Sequence, residues 1–200
     1  MNTDELLELA YKEADENFVG VATQHIKVMR EALWDLNALM THDESAIVQW
    51  GFKWGQKVSD AVSSVCACIN KCSHCCRRCI YITRAEAIEI SKFTGRKITE
   101  SFTGRLLPES IDIIQELQKK YAGAPCVFLK DGSCSIYEVR PIECRLQVNI
   151  SNQIEICDLV KHPATKVPYV SDGVHIAVLS KLGSAQPSAD IREWFPEEVN

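Results

Sequence analysis

Six of the ten cysteines of this 200-residue chain lie within fourteen residues, between Cys66 and Cys79. Closely spaced thiolates repel one another, and free thiols at this density oxidise readily unless something neutralises them. Packing in an apolar core therefore does not explain this segment, which we call the cysteine run. A bound metal explains it, because cysteine thiolates are ligands for zinc and for iron–sulfur clusters.

Spacing within the cysteine run supports a metal site. Two residues separate Cys72 from Cys75 and also Cys76 from Cys79, and this gap lets consecutive thiolates converge on one Zn²⁺ ion or one cluster. Cys75 and Cys76 are neighbours, and adjacent side chains generally point apart. We therefore expect these two cysteines to serve different ions, or different edges of an extended site.

Four further cysteines lie downstream, at Cys126, Cys134, Cys144 and Cys157. Together with four from the run they make eight ligands, which is enough for two tetrahedral sites or for one cluster with thiols to spare. Several of them follow a turn or a proline, where a loop can direct a sulfur inward. We therefore expect the downstream cysteines to converge on the cysteine run.

A hairpin is predicted around Asp131-Gly132, because this dipeptide favours a two-residue turn. In that register Cys134 pairs with Leu129 and faces away from Cys126. Either the strand pairing breaks near Phe128, or Cys126 and Cys134 belong to different sites.

The ordered cysteines and one downstream block carry a resemblance to a known family. The block runs Gly132-Ser133-Cys134-Ser135-Ile136-Tyr137-Glu138 and is followed by Arg140-Pro141 and Cys144-Arg145. Over about residues 66–158 the chain resembles bacterial cysteine-cluster proteins described as a zinc- or iron-chelating domain. Flagellin lysine N-methylases resemble that family over its cysteine region. The resemblance implies a metal site with these ligands: Cys68, Cys72, Cys75, Cys76, Cys126, Cys134, Cys144 and Cys157.

This chain departs from the family pattern in two ways. Three residues rather than two separate Cys68 from Cys72, and Cys66 and Cys79 are additional. Cys66, Cys79 and His74 are therefore secondary candidates as ligands. His74 is included because imidazole also suits zinc and some iron–sulfur centres.

Basic residues accompany the cysteines. Four thiolates around a divalent ion retain about two negative charges, so we interpret the nearby cations as donors to the sulfurs. These cations are Lys71, Arg77, Arg78, Arg140 and Arg145. The alternative is a nucleic-acid patch. The net charge of −5 argues against nucleic acid, because binding phosphates needs a basic face.

Residues 1–64 carry apolar residues at helical spacing, and we predict helices throughout. In the second half of the first helix, the predicted apolar face consists of Ile26, Met29, Leu33, Leu36 and Met40. Thr41 and Glu44 frame a capping box that ends this helix and begins the next. We also predict that the tryptophans of this region are core residues: Trp34, Trp50 and Trp54.

Shorter elements follow. A capping box at Thr83 and Glu86 opens a short helix and already accounts for Glu86, and Pro108 starts another helix that ends at Gly123. Residues 146–156 are predicted to add a short strand. After residue 160 the prolines leave room for one helix, over 174–182.

These elements predict an α+β fold that is mostly α. The predicted organisation is an N-terminal helical region over residues 1–64, a cysteine-cluster metal-binding domain with short strands over 65–160, and a C-terminal tail with one helix over 161–200.

The start of the chain carries acidic residues where a secretory signal carries basic ones, and no apolar run approaches the roughly 18 residues of a membrane span. We therefore expect a cytoplasmic protein with no membrane partner. In a reducing cytosol, clustered cysteines bind metals or catalyse more often than they cross-link.

Three functions fit these observations. The first is a metal-binding protein that holds an iron–sulfur cluster or zinc through thiolates. The second is a metal-dependent, methylase-like enzyme that modifies a protein or a small molecule, although no catalytic residue and no cofactor motif beyond the metal site is visible. The third is a zinc-stabilised interaction module whose N-terminal helices bind a protein partner.

Overall fold

The structure is a computed structural model, and it describes residues 1–39, 43–68, 72–99, 120–121, 123–162, 166–170, 173–183 and 186–196. Helix α1 spans Thr3–Ala38. Asn2 and Glu5 form a capping box at its start, which satisfies two backbone N–H groups of the first turn. The predicted helical character of the N-terminal region is therefore confirmed.

Helix α2 spans Glu44–Ala61. Its N-cap is Asp43, whose side chain accepts a hydrogen bond from the Ser45 N–H at 3.0 Å. The predicted capping box places the cap at Thr41, which lies outside the described residues. That prediction is wrong about Glu44, because Glu44 is the first helical residue and not the third.

The buried face of α1 matches the predicted face only in part. Met29 and Leu36 pack against the main core, and Met40 lies outside the described residues. Ile26, Leu33 and Trp34 are 54%, 52% and 80% exposed. The face that packs inward in this half of α1 is smaller on average and consists of Val21, His25, Val28 and Ala32. Small side chains let α1 approach α2 closely, and this outweighs the burial of the largest apolar residues.

Two of the three tryptophans are core residues, as predicted. Trp50 and Trp54 are buried on α2, whereas Trp34 is not. Trp54 also joins the two helices, because its indole N–H donates to the Asp35 carboxylate of α1 at 2.6 Å. Lys53 makes an ion pair with the same carboxylate at 2.8 Å.

Helix α2 forms the centre of the main core and contacts two later helices, α4 (Ile142–Leu146) and α5 (Gly173–Leu182). Gly51 permits this close approach, because a Cβ atom there would lie 2.5 Å from Ile142 Cδ1 and 2.7 Å from Val178 Cγ2. Because Cys144 lies on α4, the packing of α2 against α4 helps to fix the position of one of the predicted ligands.

Two short antiparallel pairs of strands complete the fold. Strand β1 (Tyr81–Thr83) pairs with β4 (Ser188–Asp190), with Tyr81 opposite Asp190. Strands β2 (Leu129–Lys130) and β3 (Ser133–Cys134) form the predicted hairpin with the predicted register. Asp131 and Gly132 take φ values of +50° and +74° at its turn, as a two-residue hairpin requires.

Helix α3 (Arg84–Thr94) begins with the predicted capping box of Thr83 and Glu86. It packs in a second core with residues that follow the cysteine segments and with the last helix, α6 (Ile191–Trp194). The members of this core include Ile80, Ile82, Ile90, Phe128, Trp194 and Phe195.

Two other predictions have different outcomes. The strand predicted over 146–156 is wrong, because the chain forms an isolated bridge at Asn149 and a 3-10 turn at Ile154–Cys157. Most of the helix predicted from Pro108 lies outside the described residues, although Lys120 and Tyr121 are helical. The predicted tail helix is confirmed by α5.

The predicted fold class is confirmed, because helices dominate and the strands are short and antiparallel. The main core takes residues from all three predicted regions, for example Val28, Ile142 and Val178. The boundaries at residues 64 and 160 stay predictions. Within the described part of the chain, no helix is both long enough and apolar enough to cross a membrane.

Candidate metal centre

A 3-10 turn at His74–Arg77 presents the paired cysteines of the run. The Cys76 N–H donates to the Ser73 carbonyl at 3.0 Å, and the Arg78 N–H donates to the Cys75 carbonyl at 3.1 Å. The expectation that Cys75 and Cys76 serve different ions, or different edges of an extended site, stays a prediction.

Backbone hydrogen bonds hold the segment that carries Cys126 against the cysteine run. The Cys126 N–H donates to the Cys76 carbonyl at 2.7 Å, and the Gly123 N–H donates to the Arg77 carbonyl at 3.2 Å. The chain turns at residues 126–129, where the Leu129 N–H donates to the Cys126 carbonyl at 2.9 Å. The strand pairing therefore stops at Leu129 and does not extend back to Cys126. This agrees with the first of the two alternatives for this hairpin, a break in the pairing near Phe128.

A cavity of about 620 Å³ lies where these segments meet. The cysteines that line it are Cys66, Cys68, Cys72, Cys75, Cys76, Cys126, Cys134 and Cys144. Seven of the eight predicted ligands therefore share this cavity. The eighth, Cys157, is buried beside it and accepts a hydrogen bond from the Asn149 amide at 3.4 Å.

The cysteines form two groups, according to which thiols interact electrostatically with one another. The first, which we call the five-cysteine group, consists of Cys75, Cys76, Cys126, Cys134 and Cys144. Burial raises the pKa of Cys126 to about 11. Burial, together with the neighbouring thiols, raises the pKa of Cys144 well above its usual value.

The second, four-cysteine group consists of Cys66, Cys68, Cys72 and Cys157. Burial raises the pKa of Cys68 to about 12, and the other three thiols act in the same direction. Cys157 also lies near Cys75, which links the two groups. Each downstream cysteine is therefore close enough to the run for its thiolate to interact with one there.

Cys75 is the thiol of this centre that most readily becomes a thiolate. The hydrogen bond from Cys76 lowers its pKa to about 7 against the effect of burial, and Arg140 and Arg78 act in the same direction. The pKa of Cys76 is raised, because that thiol gives its proton to the hydrogen bond and is itself buried.

The predicted arginines surround this centre, but within the described residues no hydrogen bond from them to a sulfur is present. Arg145 donates to the carbonyls of Glu138 and Arg140, at 2.6 and 3.0 Å. Arg140 donates to Gln56 at 3.0 Å and lies over the Tyr137 ring. Their contribution to the thiols is therefore electrostatic. Lys71 lies outside the described residues.

Two guanidinium nitrogens near the thiols have no hydrogen-bond partner within the described residues. They are Nε of Arg140, which lines the cavity, and Nη2 of Arg78. Buried N–H groups are rarely left without an acceptor. Unused positive donors beside a set of soft sulfur ligands fit a centre that carries negative charge, as metal-bound thiolates do.

The secondary candidates lie at the margins. Cys79 lies near Asp190 and is not among the described residues that line the cavity; burial raises its pKa, and the negative charge of Asp190 acts in the same direction. The Cys66 thiol donates to the Ser63 carbonyl at 3.3 Å, although Cys66 lines the cavity. His74 lies near Asp158 and is not among the described residues that line the cavity.

No single-ion site is assembled in advance. Within the described ranges, no three cysteine, histidine or acidic side chains lie together as a metal ion requires. The set of metal ligands therefore stays a prediction. The cavity shows only which thiols are available as ligands.

Sequence reasoning missed three polar residues that organise the centre. Asn149 binds Cys157, while Asp190 and Arg192 hold the segments next to Cys79 and Cys126. No motif marks them, because their partners are backbone groups and thiols far away in the sequence. The sequence pattern that could have indicated Asp190 and Arg192 is their Asp-x-Arg spacing, and both residues are buried in the structure.

The fold and the cavity together define the class of protein, a mostly helical chain with a cavity lined by cysteines. The comparison with family models then gives the family. Residues 67–162 match the family CxxCxxCC, whose description is "Putative zinc- or iron-chelating domain". The family that these residues match is the one that the sequence resemblance predicts. Neither the curated proteins nor the solved structures gave a match, so the likeness to flagellin lysine N-methylases stays a prediction.

Proposed function

We propose that this protein binds an iron–sulfur cluster in the thiol-lined cavity, through thiolates of the five-cysteine group. The remaining predicted ligands, Cys68, Cys72 and Cys157, then provide a second metal position. The observation that supports this proposal is a cavity of about 620 Å³ that is lined by eight thiols.

Ligand spacing distinguishes a cluster from a zinc ion. Zn–S bonds of about 2.3 Å place the sulfurs of a tetrahedral site roughly 3.8 Å apart. In a cluster the thiolates bind different iron atoms, so the sulfurs surround a larger volume. Thiols distributed around a cavity of about 620 Å³ favour the cluster.

The surrounding residues suit such a group. Arg140, Arg145 and Arg78 place positive charge beside thiolates, which offsets the negative charge of the centre. Ile80, Ile136 and Ile191 line the cavity with apolar surface, which limits the access of water. A bound cluster supplies one-electron transfer, at a potential that depends on these charges and on exposure to solvent.

Metal analysis of anaerobically purified protein, combined with a visible spectrum, tests the proposal. Brown protein with iron and acid-labile sulfide is the expected result. Colourless protein with stoichiometric zinc would replace the cluster by structural zinc sites. Protein that contains neither metal, and that takes up neither after reduction of its thiols, would overturn metal binding altogether.

A second candidate is an enzyme that uses the centre. The cavity is also lined by polar residues that are not cysteines, among them Gln56, Ser59, Asp60, Ser63 and Tyr137, which leaves polar groups near the thiols for a substrate. Because the methylase resemblance implies a methyl donor, calorimetric titration of metal-loaded protein with S-adenosylmethionine tests this candidate. Binding that Asp60→Asn weakens would support it, and the absence of heat would exclude this donor.

The cytoplasmic location and the protein partner of the N-terminal helices stay predictions. The exposed apolar side chains of α1, among them Ile26, Leu33 and Trp34, form the surface that such a partner would contact.

A further inference from the structure

We propose that Arg192, together with Asp190, is a positioning residue for the metal centre. It fixes the cysteine run against the segment that carries Cys126. This inference rests on the proposed metal-binding function and assigns a role to residues beyond the 67–162 family match.

The contacts of Arg192 use all three nitrogens of its guanidinium group. Nη2 donates to the Arg78 carbonyl at 3.0 Å and to the Ala124 carbonyl at 2.7 Å, and Nε donates to the Pro125 carbonyl at 3.2 Å. Nη1 lies 2.9 Å from both carboxylate oxygens of Asp190. One side chain therefore joins a segment next to Cys79 to the two residues before Cys126.

Asp190 secures the other side of this arrangement. It is fully buried and accepts hydrogen bonds from the Ile80 N–H and the Arg192 N–H, each at 2.9 Å. Its thiol partner, Cys79, ends the cysteine run. The β1–β4 pairing then continues directly from this point, with Tyr81 opposite Asp190.

The segments joined in this way already touch through weaker contacts. The backbone hydrogen bonds from Cys126 to Cys76 and from Gly123 to Arg77 link the same two segments of the chain. These neutral bonds each make only a modest contribution to stability. Bonds from a buried guanidinium are stronger and fix direction, because its donors form a rigid fork. Arg192 therefore sets the distance between the two halves of the five-cysteine group.

Arg192→Lys is the variant that isolates this role. Lysine keeps the positive charge beside Asp190, so no buried carboxylate is left unpaired. Its single nitrogen cannot reach three carbonyls and a carboxylate at once. Arg96→Lys is the matched control, because Arg96 also donates to two carbonyls of the C-terminal segment, those of Phe195 and Pro196, but to none beside a cysteine.

Two measurements on the full chain decide the matter. The first is the affinity of metal-free, reduced protein for zinc ions alone, measured in competition with a coloured chelator. We expect Arg192→Lys to weaken zinc binding about tenfold or more, as loss of residues that orient ligands does, and Arg96→Lys to leave it close to wild type. The second is hydrogen exchange of the metal-free proteins. We expect faster exchange at Gly123 and Cys126 in Arg192→Lys, with α1 and α2 unchanged.

Three outcomes would overturn the proposal. The first is wild-type zinc affinity in Arg192→Lys. The second is weaker zinc binding with unchanged exchange at Gly123 and Cys126, since the segments would then be held without Arg192. The third is loss of protection throughout the chain, because Arg192 would then support folding in general. If the wild-type protein itself binds no zinc and no iron, the proposed function fails, while the exchange data still decide whether Arg192 holds the segments.

Discussion

Cys75 and Cys76 are the same residue type, yet their surroundings give them different chemistry. Their shared hydrogen bond and the arginines beside Cys75 lower the pKa of that thiol, whereas the pKa of Cys76 rises. The sequence alone predicts a pair of ligands here. It does not predict which cysteine ionises first, because this depends on the side-chain geometry of the pair and on Arg140, which comes from a separate part of the chain.

We expect Cys75→Ser and Cys76→Ser each to weaken metal binding by more than about tenfold, which is the usual effect of losing even a residue that only orients a ligand. Cys66→Ser is the control and should be far milder, because Cys66 is additional to the family pattern and its thiol donates to the Ser63 carbonyl. Iron and zinc per chain, measured by mass spectrometry, report the result. Full occupancy in both variants of the pair would remove it from the ligand set.

The lowered pKa of Cys75 predicts a specific pH dependence. A lowered pKa means more thiolate at a given pH, and the thiolate is the reactive form. In metal-free, reduced protein, alkylation of Cys75 should therefore begin near pH 7, whereas Cys126, with a pKa of about 11, should need much more alkaline solution. Peptide mapping after brief iodoacetamide treatment measures both rates. Equal reactivity of the two cysteines at neutral pH would contradict the assignment.

At the scale of elements, α2 connects the helical region to the metal centre. Its glycine-lined face contacts α4, so the position of Cys144 depends on how closely these two helices approach. The three polar residues that α2 contributes to the cavity near its end are Gln56, Ser59 and Asp60. Helix α2 is therefore part of the site as well as of the core.

Gly51→Ala tests this close approach. A methyl group at Gly51 would collide with Ile142 and Val178, and overpacking of this kind costs about 1–3 kcal/mol of unfolding free energy. Gly20→Ala is the control. No atom lies within 4 Å of a Cβ placed at Gly20, so the change should stabilise α1 by about 0.5–1 kcal/mol. Urea denaturation of the metal-free proteins compares them. Equal stability of Gly51→Ala and wild type would show that the helices do not pack so closely.

Local signals predicted the elements that depend on local interactions. The capping box at Thr83 and the Asp131-Gly132 turn act over a few residues, and both are present. The pairing of β1 with β4 was missed, because each strand has only three residues and its partner lies more than a hundred residues away. The face of α1 was predicted in part: Met29 and Leu36 pack against the main core, whereas Ile26 and Leu33 are exposed, because apolar size alone does not indicate which side faces α2.

At the scale of the whole molecule, the family pattern predicted which cysteines would gather, and seven of the eight predicted ligands line the same cavity. The arrangement into two groups was not predictable, because it depends on contacts between segments rather than on spacing within one. The same is true of Arg192, whose partners are backbone carbonyls that carry no sequence signature.

Removal of the metal should loosen the cysteine segments more than the N-terminal helices. The predicted ligands come from segments about fifty residues apart, so the energy of metal binding holds those segments together. By contrast, α1 and α2 pack through apolar contacts and the Asp35–Trp54 hydrogen bond. Hydrogen exchange before and after chelation measures both regions. Equal loss of protection in the two regions would show that the metal stabilises the chain uniformly.

The contact between the cysteine run and strand β4 also affects biosynthesis. A ribosome makes roughly one hundred residues between Cys79 and Ser188, which takes about 5–20 seconds at ordinary rates of translation. During that interval the six thiols of the run have emerged or are emerging, while Asp190 and Arg192 do not yet exist. The newborn chain therefore needs reducing conditions, or an early metal donor, until its last elements dock against the run.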